Sequence, residues 1–312
     1  MPKGSRQPGD YIVPLNMNGL QGRMMYVPST TKRNRRREIL VIYGHHAMLE
    51  RWWGLVENLD KYGNVCMPDL PGFGGMESFA KIGTKPNLDA LADYLAAFIK
   101  LRYKTKKVRI YAISFGFAVT TRMLQRYPEL TKKVDMLIGS VGLMHGDDIV
   151  FSRTSKYFYV GLSRFFAARP TAFVIRYGFL NRPVIKFLTG TMPHSKHRFI
   201  EVTPEEFDRS LDFEVKLWQA NDVRTHWLTT IELLRLNNCK KSINIPVVHI
   251  VSENDHYLNN ISVENRMRQI FSQYRQFLAR SKTHVPSVIA EKKEMSVMVP
   301  PGLRRLLNEK SA

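Results

Sequence analysis

The stretch from Lys106 to Val119 constrains this chain more than any other part of it. An apolar run of β character, Val108 to Ile113, leads directly into Ser114, which has small residues two places before it (Ala112) and two places after it (Gly116). A helical pattern begins at once. Val119, Met123, Leu124 and Tyr127 share one face, and Pro128 ends the helix. A serine at so sharp a strand-to-helix turn is held in a strained backbone conformation, its hydroxyl clear of the sheet. The neighbours must be small because strand and helix pass close together there. The helix N-terminus also turns its free N–H groups toward the serine. An ordinary βα turn carries the same pattern, so its meaning depends on the rest of the chain.

The rest repeats the same rhythm. Ile39 to Tyr43 is a continuous apolar run, as a buried parallel strand requires, and it ends in Gly44-His45-His46-Ala47. A helix from Trp52-Trp53 runs toward Asp60, and the strand Asn64 to Pro68 ends in Asp69-Leu70-Pro71-Gly72-Phe73-Gly74-Gly75. That turn lacks the Lys-Ser/Thr of a phosphate-binding loop, and a proline interrupts it. Asn87 is placed to cap a helix with Leu88, Leu91, Ala92, Leu95, Phe98 and Ile99 on one face. Val134 to Val141 is a further buried strand. Strands alternating with helices imply an α/β fold with a mostly parallel sheet and right-handed crossovers. Ahead of this, Tyr11 to Val13 and Arg23 to Val27 read as a hairpin turning at Asn18-Gly19. The basic run Lys32 to Arg37 has no aromatic neighbours and reads as a solvated loop. His45 and His46 lack the nearby Cys, His or Asp partners of a metal site.

The rhythm stops between about Gly142 and Cys239, where the composition is helical, aromatic and basic. Residues 151–200 contain no Asp or Glu, but nine Lys or Arg: Arg153, Lys156, Arg164, Arg169, Arg176, Arg182, Lys186, Lys196 and Arg198. Aromatic residues from Phe151 to Phe199 are interleaved with them. Three readings stay open: a cover whose aromatics line an apolar pocket, an interfacial surface facing anionic lipid, and nucleic-acid stacking, in that order. The whole chain has 47 Lys and Arg against 27 Asp and Glu, a net +20, which suits an anionic surface. Two cysteines, Cys66 and Cys239, exclude a disulfide framework and suit a reducing compartment, so a cytoplasmic location is expected. The N-terminus has no apolar segment of signal-peptide type, and no run of about 18 apolar residues suggests a membrane span. Nothing calls for a cofactor or a metal ion.

The sheet pattern resumes at Ile245 to Val251 and leads into Ser252-Glu253-Asn254-Asp255-His256. A helix over about Val263 to Ser272 and a strand over Arg275 to Ala279 follow, then Thr283-His284-Val285-Pro286. Together these segments resemble the serine-nucleophile branch of the α/β-hydrolases. Ala112-Ile113-Ser114-Phe115-Gly116 is similar to its Gly-x-Ser-x-Gly nucleophile elbow, and Asp69 to Ser78 to its Asp-x-x-Gly-x-Gly-x-Ser turn. Ser252-Glu253-Asn254-Asp255 matches Gly-x-x-Asp, and Thr283 to Pro286 matches Gly-His-x-Pro. Tyr43-Gly44-His45 takes the place of His-Gly-x.

The resemblance, which covers residues 10 to 310, implies a catalytic triad of Ser114, Asp255 and His284 in the family's own chain order. It implies an oxyanion hole from the backbone N–H groups of His45 and Phe115. Glu253, and Asp147 and Asp148 further back, are reserves for the acid. The implied domains are a hydrolase core over 1–141, a helical lid (cap) insertion over 142–240, and the remainder of the core over 241–312. The implied activity is cleavage of a carboxylic ester with an apolar, lipid-like acyl group, through an acyl-enzyme. Serine at 114 disfavours the dehalogenase and epoxide-hydrolase branches, which carry aspartate there. Peptidases, acyltransferases and carbon–carbon bond hydrolases remain. The departures at Ala112, Tyr43, Ser252 and Thr283 keep an inactive hydrolase-fold protein as the alternative, one that binds lipid or a partner through its basic, aromatic lid. The partners expected are a small-molecule ester and, peripherally, an anionic membrane surface, with nucleic acid ranked below both.

Overall fold

A computed structural model describes residues 6–191, 203–253, 255–280 and 291–309. Eight strands form one sheet in the order β1-β2-β4-β3-β5-β6-β7-β8. β1 (Ile12–Met17) and β2 (Leu20–Val27) are the expected hairpin, and Asn18 and Gly19 both adopt left-handed backbone at the turn. Pro14 is tolerated because β1 is the edge strand, with no neighbour on its outer side. β2 runs antiparallel to β4 (Asn64–Pro68). From there inward β3 (Glu38–Ile42), β5 (Val108–Ile113), β6 (Val134–Ser140), β7 (Ile243–Ser252) and β8 (Phe271–Ala279) are all parallel. Every residue of β3, β4 and β5 is buried, which is why their interiors are apolar and do not alternate; Arg109 in β5 is an exception, held in a 3.1 Å ion pair with Asp135.

Helices connect the strands. α1 (Trp53–Leu59), α2 (Leu88–Arg102) and α3 (Phe115–Arg126) join the first half of the sheet. The Asn87 side chain accepts the Ala90 N–H at 2.7 Å, so the expected cap of α2 is formed. Between β6 and β7 lie α4 (Arg153–Ala167), α5 (Arg169–Val174), α6 (Arg182–Thr191), α7 (Pro204–Ala220) and α8 (Val223–Leu234). α9 (Asn260–Ile270), α10 (Lys292–Met295) and α11 (Pro301–Asn308) follow β7. The last strand starts earlier than the sequence pattern suggests. The helix expected to reach Ser272 stops at Ile270, because Phe271 pairs with Ile243 and packs its ring edge-on to Phe117, 6.1 Å away. Core packing there overrides helical periodicity. Among the described residues no helix is long and apolar enough to cross a membrane.

Candidate active site

Ser114 stands at the C-terminal end of the central strand β5 and starts α3. Its backbone has φ 49° and ψ −116°, a region that side chains other than glycine's rarely enter. Two bonds hold it there: its N–H donates to the Ser140 carbonyl, and its carbonyl accepts the Phe117 N–H, each at 2.9 Å. Crowding explains the small neighbours. A methyl group on Gly116 would lie 2.4 Å from the Ile42 carbonyl oxygen and 2.5 Å from that of Tyr43. Ala112, where the family pattern has glycine, is flanked in the sheet by Gly139 of β6 on one side and Ile42 of β3 on the other.

The loop after β3 brushes the serine. A methyl on Gly44 would come within 3.3 Å of the Ser114 Cβ. Phe115 is the first residue of α3, so its N–H has no acceptor within that helix. The His45 ring reaches α8, where Nε2 donates to Thr229 Oγ1 at 2.9 Å and the His226 carbonyl at 3.1 Å. His45, His46, His226 and Trp218 form a cluster of tilted and edge-on rings with centroids 4.2–4.8 Å apart. Burial lowers the pKa of His45 to about 4 and pushes that of His226 well below the usual imidazole value. Burial thus keeps His45 and His226 neutral, and the cluster joins the loop after β3 to the helices between β6 and β7. Among the described residues no group of three or more His, Cys, Asp or Glu is placed to hold a metal ion.

Tyr43, a departure from the family pattern, has a defined job. Its hydroxyl donates to Asp69 Oδ1 and accepts the Leu70 N–H, both at 2.9 Å. Asp69 is fully buried and also takes a 3.1 Å ion pair from Arg23. Gly74 folds back over that carboxylate so closely that a side chain there would overlap it, at 1.9 Å from Oδ1. The Asp69–Gly75 turn is therefore a brace that fixes the end of β3, and with it the loop beside Ser114.

In front of Ser114 lies a cavity of about 240 Å³. Ile149, Tyr159, Trp227, Leu234 and Tyr257 contribute to its wall, which is apolar almost throughout. Ser163 and Trp227 also line it, and the Ser163 Oγ and the Trp227 indole nitrogen are buried with no hydrogen-bond partner among the described residues. The two are carried by α4 and α8, so the inserted helices form part of the wall. No motif in the sequence pointed to Ser163, His226, Trp227 or Thr229, which meet the site only through packing of α4 on α8.

Asp255 lies three residues beyond the end of β7 and is half-buried, with Oδ1 accepting the N–H groups of Tyr257 at 2.9 Å and Leu258 at 3.2 Å. Glu253 is exposed. The other two reserves, Asp147 and Asp148, are engaged elsewhere. Asp148 is fully buried, accepts the Met144 and His145 N–H groups at 2.9 Å and pairs with Arg266, fastening the chain after β6 to α9. Asp147 pairs with Lys156 at 2.5 Å on the surface. His284 falls within residues 281–290, outside the described residues.

A family model described as the alpha/beta hydrolase fold matches residues 39–287. No curated protein matches the sequence. Among solved structures, a thermophilic esterase from Thermogutta terrifontis is similar at 16% identity and a TM-score of 0.64, covering 96% of this chain and 98% of that one. A putative aryl esterase from Burkholderia cenocepacia gives 15% identity and 0.66, covering 95% and 98%. An epoxide hydrolase from Bacillus megaterium gives 14% identity and 0.64, covering 95% and 100%. At such identities the likeness is one of fold.

Proposed function

Since this chain belongs to the alpha/beta hydrolase fold family, we propose that it is a serine hydrolase cleaving a carboxylic ester with an apolar acyl group. The observation that carries this reading is a strained serine at the end of the central strand, opening onto an apolar cavity roofed partly by inserted helices. Those helices act as a lid. The Ser114 oxygen attacks the ester carbonyl carbon while His284 takes the hydroxyl proton. Asp255 orients the imidazole and stabilises its charged form. The N–H groups of His45 and Phe115 receive the oxyanion. Collapse breaks the ester C–O bond, and the alcohol leaves with the proton from His284. Water, deprotonated by the same histidine, then releases the acid and restores Ser114. The acyl chain occupies the cavity, where its burial is worth about 0.8 kcal/mol per methylene.

The test is a fluorophosphonate probe with peptide mapping, next to turnover of a nitrophenyl ester of medium chain length. Ser114 is expected to be the labelled residue, and Ser114→Ala to lose labelling and several orders of magnitude in turnover while remaining folded. Absent labelling of folded wild-type protein, or unchanged turnover in Ser114→Ala, removes the catalytic assignment and leaves the binding-protein alternative.

A further inference from the structure

The inserted helices show their aromatic side chains to solvent. Of the surface of Tyr157, Phe158, Phe165, Phe173, Tyr177 and Phe179, between 51% (Phe179) and 75% (Tyr177) is exposed. The arrangement is ordered. Along α4 the exposed positions are Arg153, Thr154, Tyr157, Phe158, Tyr159, Gly161, Arg164 and Phe165, a wide outer face at helical spacing. Val160, Ser163 and Ala167 occupy the opposite, buried face. A surface helix of a globular domain carries charge on its outer face and apolar residues within. Here the outer face is aromatic as well. The rings extend past the helix: Phe173 packs on Tyr177 at 4.7 Å, and Phe151 stacks on Tyr159 at 5.2 Å at the rim of the cavity. An exposed aromatic set of this extent marks a binding surface.

Charge selects the occupant. Residues 151–191 hold no Asp or Glu. Lys156 and Arg182 are paired to acids outside this stretch. Arg153, Arg164, Arg169 and Lys186 are exposed and have no ion-pair partner among the described residues. A second copy of the chain meeting this face two-fold would bring cation against cation. A surface that takes both aromatic rings and unpaired cations is a bilayer with anionic headgroups: the rings enter the headgroup boundary and the cations stay at the phosphates. We propose that α4, α5 and α6 form a docking face for anionic membranes, with the Phe151–Tyr159 rim of the cavity at its border. The face is independent of whether Ser114 is the nucleophile, because the test reads binding alone.

The test is co-sedimentation of the full chain with vesicles of phosphatidylcholine, pure or with about a third phosphatidylserine, at about 0.1 M and about 1 M salt. Binding is expected to the anionic vesicles at low salt, and to fall sharply at high salt as the Debye length shrinks from about 10 to about 3 Å. Each basic residue near an anionic surface contributes about fivefold to partitioning, so Arg164→Gln with Arg169→Gln should reduce it about 25-fold. Phe158→Ser with Phe165→Ser should reduce it by tenfold or more. Both pairs are exposed, so their melting temperatures should match the wild type. Equal pelleting on neutral and anionic vesicles, pelleting on neither, or wild-type partitioning by both double variants overturns the proposal. So does a concentration-dependent dimer that Phe158→Ser with Phe165→Ser dissolves, which would assign the face to a second copy.

Discussion

The strain at Ser114 makes a measurable prediction that no contact list contains. A residue other than glycine at φ 49°, ψ −116° costs about 1–3 kcal/mol, and the cost persists only because the surroundings enforce it. Here they do: the bonds to Ser140 and Phe117 fix the peptide on either side, and Gly44 and Gly116 leave no room to relax. Ser114→Gly releases the strain. It also enlarges the freedom of the unfolded chain, a loss of about 0.5–1 kcal/mol. The net gain should be about 1 kcal/mol, a rise of about 2 °C in melting temperature for a domain of this size. Ser114→Ala removes the same hydroxyl but keeps the Cβ and its strain, so it should melt within about 1 °C of the wild type. Both variants should be inactive, and comparing them isolates the backbone term. Differential scanning fluorimetry of the three proteins side by side is the assay. If Ser114→Gly melts no higher than Ser114→Ala, the turn is not strained and the backbone argument for this serine fails.

Three more outcomes follow from the same geometry. Gly116→Ala should cost about 3 kcal/mol or more in urea unfolding, because its methyl would press on two backbone carbonyls that cannot withdraw; a loss under about 1 kcal/mol would show that α3 shifts freely on the sheet. Tyr43→Phe leaves Asp69 Oδ1 and the Leu70 N–H short of a buried partner, so a loss of about 2–4 kcal/mol is expected in the same experiment, and near-neutral behaviour would deny the brace its role. Acidification should destabilise the fold. His45 and His249 are held neutral by burial, with pKa values of about 4 against about 6.5 unfolded, so the unfolded chain binds more protons between those values and stability falls as pH drops through them. At pH 5 each withholds about 2 kcal/mol, and a stability that stays flat from pH 7 to pH 5 would contradict their burial.

How far the sequence alone reached depends on how local each signal was. The elbow was legible because strand, serine and helix are contiguous, although the crowding that demands glycine at 116 comes from the neighbouring strand, at the Ile42 and Tyr43 carbonyls. The sheet was legible because burial on both faces demands unbroken apolar runs. The start of β8 was not, since Phe271 continues the periodicity of α9 and only its contact with Phe117 draws it into a strand. Tyr43 looked like a departure. Its value lies in Asp69 and Leu70, which are distant in sequence and adjacent only once β3 and β4 are paired. The histidine cluster was half visible: His45 and His46 stand out as a pair, but His226 and Trp218, which turn them into packing, lie on other helices.

The inserted segment shows where composition stops informing. Its aromatic and basic content was plain, and the simplest expectation put the aromatics around an acyl pocket with the arginines solvated outside. Among the described aromatics of 151–191, only Phe151 and Tyr159 reach the cavity, and both remain part-exposed at its rim. The reason lies in α4. Tyr157, Phe158 and Tyr159 are consecutive, so they point around most of a helical turn and give no apolar stripe to read. What fixes the helix is its small residues, Ser163 and Ala167, which let α4 lie close on α8; Arg224 donates to the Ala167 carbonyl at 3.1 Å, and Phe166 packs tilted against Trp227 at 4.8 Å. Close approach through small side chains leaves the large ones nowhere to go but outward. The same packing buries Ser163 Oγ without a partner at the cavity wall, an arrangement that a helix chosen for stability alone would avoid. An exposed aromatic face and an unsatisfied inner wall on one helix are both costs to the isolated fold. A bilayer against α4 recovers the first cost; the second calls for a polar group on whatever fills the cavity, since a hydrocarbon chain offers Ser163 Oγ no hydrogen bond.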